Sequence, residues 1–165
     1  MNINKYNILF VCLGNICRSP AAQGVMQRLV DERGLSDRFY IDSAGMGSWH
    51  VGDLPDKRMR VHARSRGFEL THRARKVQAG DFDDFDLIVG MDASNVDELR
   101  DLAATVDQQD KVVMMGNYIR HFPHYDYVPD PYYEGSEGFE LVLNLLEDSC
   151  ENLLNEIITQ NNIAR

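Results

Sequence analysis

Long apolar runs are missing from this chain of 165 residues: the longest uninterrupted one, Ile8 to Leu13, is far short of the roughly 20 residues that a membrane helix requires. No segment is a candidate for spanning a bilayer. Positive charge is also scarce, since 17 Lys and Arg against 26 Asp and Glu leave a net charge of −9. Such a balance repels nucleic acid and anionic membrane, so any bound anion must be captured by a local site rather than by the field of the whole molecule. With three cysteines the chain builds no even disulfide framework, and Cys12 and Cys17 are too far apart for the paired C-x-x-C knuckles that hold zinc. Reduced thiols and no metal are expected. The run Met1-Asn-Ile-Asn-Lys-Tyr6 lacks the apolar core of a secretory leader, which makes the cytoplasm the expected compartment. No G-x-x-x-x-G-K-[ST] sequence occurs, so a P-loop nucleotide hydrolase is excluded.

What is present fits one globular unit. Hydrophobic residues make up 44% and charged residues 26%, with no repeat, low-complexity tract or linker-like shift, so a single domain over 1–165 is expected. Strand and helix signals alternate. Asn7 to Leu13 reads as a buried strand, broken by Gly14-Asn15. A helix follows, with Ser19 read as its cap, Pro20 as its first residue, Ala22, Val25, Met26 and Leu29 on one face, and Gly34 as its stop. Phe39 to Ser43 is a second strand, Asp56 opens a helix that stops near Gly67, and Phe85 to Met91 is a third strand. Asp92 or Ser94 caps the next helix, Lys111 to Met115 is a fourth strand, and Pro123, Pro129 and Pro131 enforce an irregular stretch. Phe139 to Ile158 closes the chain as an amphipathic helix. This order predicts an α/β fold of three layers, a parallel sheet covered by helices.

The chemistry concentrates in Cys12-Leu13-Gly14-Asn15-Ile16-Cys17-Arg18-Ser19-Pro20, where a buried strand hands over to a helix. Open parallel sheets bind ligands at such junctions. A turn wrapped over a helix start gathers backbone N–H groups, and the helix dipole adds positive potential, so the loop is suited to an oxyanion such as phosphate. Arg18 offers the paired donors of a planar guanidinium. The same field favours the thiolate of Cys12, because thiols at helix N-termini titrate at roughly 3.5 to 7.5 instead of about 8.5. Ser19 can steady that charge with its hydroxyl. A lone cysteine at a strand end is usually packing, but here nucleophile, turn, arginine, hydroxyl and proline agree on one geometry.

At these residues the sequence resembles the low-molecular-weight protein tyrosine phosphatases, whose motif is Cys, five residues, Arg, then Ser or Thr. Further matches run along the chain at Asp42-Ser-Ala-Gly45, Trp49-His50, Pro55-Asp56, His72-Arg-Ala-Arg75, Met91-Asp92 and Asp130-Pro-Tyr-Tyr133. The resemblance implies a twisted four-stranded parallel sheet with helices on both faces, and hydrolysis of phosphotyrosine and aryl phosphate monoesters through a cysteinyl-phosphate, without a cofactor. It implies Cys12 as nucleophile, Arg18 as phosphate clamp and Asp130 as the general acid, which would have to be partly buried to hold its proton. Leu13, Gly14, Asn15, Ile16, Cys17, Ser19, Trp49, Tyr132 and Tyr133 are assigned to substrate binding by the same resemblance, with Asn15, Ser43 and His72 supporting the loop. The implied partners are a tyrosine-phosphorylated protein, a tyrosine kinase among the candidates, and phosphate or another oxyanion in the site; nucleic acid and membrane are not expected.

Two readings stay open beside it. Cys17 is either a small packing residue or, as the family's internal disulfide suggests, a redox partner for Cys12. An arsenate reductase of the same fold would share the loop, but it needs two further redox cysteines, and after Arg18 the chain holds only Cys150. Eight of the basic residues fall between Lys57 and Lys76, which reads as a solvated helical face.

Overall fold

A computed structural model describes residues 4–132 and 134–164. Strands β1 (Tyr6–Cys12), β2 (Phe39–Gly45), β3 (Leu87–Gly90) and β4 (Val112–Met114) form one parallel sheet in the order β2-β1-β3-β4. Because side chains alternate along a strand, β1 feeds two separate cores. Ile8, Phe10 and Cys12 point into the larger one, shared with α1 (Arg18–Glu32), α2 (Lys57–Ser65) and α6 (Ser136–Asn161). Leu9 and Val11 point into the smaller one, with Phe82 of α3 (Asp81–Asp84) and Val96 and Leu99 of α4 (Ala93–Leu102). A short α5 (Val106–Asp110) precedes β4. The three-layer expectation is met.

Chain order turns back at β1, which has β2 on one side and β3 on the other. The segment leaving the carboxyl end of β1 therefore emerges over a crevice with helices on either hand, the position where such sheets place ligands.

Several local expectations change. Ser19 does not cap α1: the helix begins at Arg18 with Cys17 at the cap position and no side-chain cap bond, because the Ser19 hydroxyl is engaged with Cys12 and Asn15 instead. Asp92, not Ser94, caps α4 by accepting from the Asn95 amide at 2.9 Å. Asp56 caps α2 as expected, accepting from the Arg58 amide at 2.8 Å. The chain leaves α1 through Gly34 at φ +68°, a left-handed conformation that glycine adopts freely. The one-turn helices α3 and α5, and the 3-10 turns at Ser36–Arg38 and Met115–Tyr118, are too short to show a period in sequence. No helix among the described residues is long and apolar enough to cross a membrane.

Candidate active site

Residues 13–17 form a tight loop between β1 and α1. It is anchored by the segment that follows β2, where the Met46 amide donates to the Cys12 carbonyl and the Gly47 amide to the Leu13 carbonyl, both at 2.9 Å. Gly45 permits this approach: a Cβ there would lie 3.0 Å from the Leu13 carbonyl oxygen and from the Gly14 carbonyl carbon. Among the described residues, the backbone N–H groups of residues 14–17 donate to no other protein group. They are left for an acceptor from outside, as an anion cradle requires.

Asn15 fixes the curl. It is buried and holds φ +57°, an uncommon conformation for a side-chain-bearing residue that asparagine tolerates better than most. Its amide nitrogen donates to Ser19 Oγ at 2.8 Å and to Ser43 Oγ at 3.0 Å, and the Ser43 hydroxyl passes its own hydrogen to Gln23. The amide oxygen accepts from the Arg75 backbone N–H, which fixes its orientation and makes His72 Nε2, 3.0 Å away, the other donor. Burial lowers the His72 pKa below its ordinary 6.5, with Arg75 pulling the same way against Asp42, so the ring is neutral at pH 7. The side chains of Asn15 and Ser19 thus lie behind the pocket wall and support it, while the Asn15 backbone N–H stays with the loop amides. Ser43 and His72 both meet the Asn15 side chain within the loop.

The cavity has a volume of about 290 Å³ and is lined by Cys12, Leu13, Gly14, Ile16, Cys17, Arg18, Trp49, His50, Asp130 and Tyr132. At its floor Cys12 Sγ lies 3.0 Å from Ser19 Oγ, whose hydrogen has a second acceptor in the Ala44 carbonyl at 3.3 Å. The arrangement serves both sulfur states. A thiol can donate to Ser19 while Ser19 donates to Ala44; a thiolate can accept the Ser19 hydrogen. Cys12, Cys17 and Cys150 are all free and buried. Burial, with help from Asp56 and Cys12, pushes the Cys17 thiol well above its usual range, and burial does the same to Cys150 within the α1–α6 core.

Arg18 is nearly enclosed. One terminal nitrogen donates to Asp92 Oδ2 at 2.7 Å and to the Val128 carbonyl at 3.0 Å, while the other lies 3.8 Å from Asp130. Burial works against its charge, but Cys12, the Asp92 hydrogen bond and Asp130 outweigh it and raise its pKa. Asp92 is therefore both helix cap and arginine anchor, using one oxygen for each. Its second task was not legible in sequence, because Arg18 and Asp92 meet only through the fold.

Asp130 lies at the rim, its side chain 42% exposed and accepting from the Tyr132 amide at 3.0 Å. The carboxyl is thus only partly covered, and it lines the cavity together with Trp49 and Tyr132. Trp49, 70% exposed, and Tyr132 flank that mouth, with Leu13 also exposed. Tyr133 lies outside the described residues. His50 was missed as a lining residue; its ring sits 3.4 Å from Asp53 through Nδ1, with its centroid 6.5 Å from that of Tyr132. Only its place beside Trp49 could have suggested it. No group of three or more His, Cys, Asp or Glu among the described residues could hold a metal ion.

A parallel α/β sheet carrying a Cys-x5-Arg-Ser loop at the carboxyl end of β1 defines a class of oxyanion-binding proteins with a cysteine at the focus. The profile described as "Low molecular weight phosphotyrosine protein phosphatase" matches residues 7–163, and the chain belongs to that family. It is 44% identical over 153 residues to the low molecular weight phosphotyrosine protein phosphatase of Schizosaccharomyces pombe, covering 91% of this chain and 96% of that one. Among solved structures, a protein tyrosine phosphatase from Entamoeba histolytica with Hepes in the active site superimposes with a TM-score of 0.92 at 40% identity, over 95% of this chain and 99% of that one. A protein described as DARP, drosophila arginine phosphatase, superimposes with a TM-score of 0.85 at 38% identity, over 91% and 96%.

Proposed function

We propose that this enzyme hydrolyses phosphotyrosine through a covalent phosphocysteine on Cys12, within a single phosphatase domain. The observation that carries the reading is the meeting of Cys12, Arg18 and Asp130 around one cavity whose loop amides have no protein acceptor. The phosphoryl group enters with its oxygens on the amides of residues 14–17 and on Arg18. Cys12 sulfur forms a bond to phosphorus as the bond to the aryl oxygen breaks, and Asp130 gives its proton to the departing phenolate. The Asp130 carboxylate then takes a proton from water, whose oxygen attacks phosphorus; the sulfur–phosphorus bond breaks and inorganic phosphate leaves. Charge spread over the equatorial oxygens in a loose transition state is what fixed donors stabilise best.

Wall chemistry supports an aryl ester. The sulfur is buried, and Leu13, Ile16, Trp49 and Tyr132 in the same lining offer apolar faces to an aryl ring. The Entamoeba relative is described with Hepes, a sulfonate-bearing molecule, in its active site, which supports a site of this kind taking an oxyanion. The test is phosphate release from matched peptides bearing phosphotyrosine, phosphoserine or phosphoarginine, with arsenate plus thioredoxin in parallel. Phosphotyrosine is expected to be preferred by kcat/KM; preference for phosphoarginine or reduction of arsenate would replace the reading.

A further inference from the structure

Arg58 reads in sequence as one cation of a solvated helix face, yet the fold gives its guanidinium four partners near the cavity. Nε and one terminal nitrogen bind the Asp56 carboxylate at 3.1 and 2.9 Å, and that terminal nitrogen also donates to the Tyr132 carbonyl at 3.0 Å. The guanidinium stands 5.6 Å from the Tyr132 ring centroid and 4.8 Å from that of Phe139, which is fully buried on α6. Asp56 in turn donates its backbone N–H to the Ile16 carbonyl of the phosphate loop at 2.8 Å. At the other end, the Tyr132 amide donates to Asp130. A continuous line of polar contacts thus runs from the phosphate loop through Asp56, Arg58 and Tyr132 to the carboxyl at the rim.

We propose that Arg58 is a positioning residue that latches the segment carrying Asp130 and Tyr132 at a fixed distance from the phosphate loop. The inference rests on the reading of Asp130 as general acid. The Arg58 side chain is about half exposed, and an ion pair with one partner in solvent adds little to stability, so the fold does not depend on this latch. Proton transfer does depend on placement, since a carboxyl must come within hydrogen-bond reach of the leaving oxygen and a shift of about 1 Å is costly. Lysine would keep the charge but not the planar fork that spans Asp56 and the Tyr132 carbonyl together.

The experiment compares kcat/KM for phenyl phosphate, a poor leaving group, and para-nitrophenyl phosphate, a good one, in wild type, Arg58→Ala, Arg58→Lys, Asp130→Asn and the Arg58→Ala/Asp130→Asn double variant, with thermal melting to show that each is folded. Arg58→Ala is expected to lose on the order of tenfold on phenyl phosphate and little on the nitrophenyl ester. Arg58→Lys should recover only part of that loss, and the double variant should be no slower than Asp130→Asn alone. Equal loss on both esters in Arg58→Ala, full recovery in Arg58→Lys, or an added loss in the double variant overturns the latch while leaving Asp130 in its role. Equal loss on both esters in Asp130→Asn removes the acid assignment and the latch with it. Should Arg58→Ala melt early, Asp56→Asn keeps a capping side chain but removes the ionic anchor. Selective loss on phenyl phosphate in that variant upholds the latch, and uniform rates overturn it.

Discussion

Replacing Cys12 by Ser changes one atom at the floor of the cavity and leaves the loop amides and Arg18 in place. Turnover is expected to vanish while vanadate or phosphate still binds, measurable by calorimetry; full activity would remove the nucleophile assignment. Arg18→Lys loses the paired donors and the shared hold of Asp92 and Val128, so binding and rate should each fall roughly 10- to 100-fold, as the loss of a charged hydrogen bond implies. Steady-state kinetics and phosphate inhibition check this. Cys12, Arg18 and Ser19 were legible because they lie within eight consecutive positions and their roles follow from one turn. Asp92, His50 and Arg58 were not, because each acquires its task from groups brought close by the sheet and its connections. The placement of Asp130 beside Arg18 and the Tyr132 amide escaped for the same reason, since those contacts exist only in the folded chain.

At the scale of elements, the site depends on how three segments are tied to the end of β1. Asp92 joins α4 to α1 by capping one helix and holding Arg18 of the other, so Asp92→Ala removes a cap and strands a buried cation. A loss of about 3 kcal/mol is expected by denaturant titration, with Asp92→Asn costing less because asparagine still caps. Bound phosphate should restore part of the loss, since it supplies Arg18 with a new partner. Strand positions were readable from runs of β-branched and aromatic residues, and helix α6 from its apolar spacing. Helix starts were less so: at Ser19 two uses competed for one hydroxyl, and contact with Cys12 prevailed over capping. Helices of four or five residues carry too few positions for any period to emerge.

Across the whole molecule, the neutral His72 links stability to pH. Its pKa is lower in the folded state than its ordinary 6.5, so below that value the unfolded chain takes up a proton that the native ring resists. Stability is therefore complete above about pH 6.5 and falls as pH drops through the window between 6.5 and the lowered folded value. His72→Gln, which can still donate to Asn15, should flatten that part of the curve in thermal melts; an unchanged slope would show that another group sets it. The layered fold itself was legible from alternating strand and helix signals, and the ligand crevice from the strand-to-helix handover at residues 12–20. What sequence alone did not contain is the convergence of α2, α4 and the proline-bounded segment on that handover. The central claim is a phosphoryl group held on Cys12, and rapid-quench mass spectrometry during turnover of an aryl phosphate tests it most directly. The account predicts one added phosphoryl group on the peptide containing Cys12, formed at the rate of the initial phenol burst and absent from Cys12→Ser. Steady phenol release without a burst, at full rate and with no labelled Cys12 peptide, would contradict it.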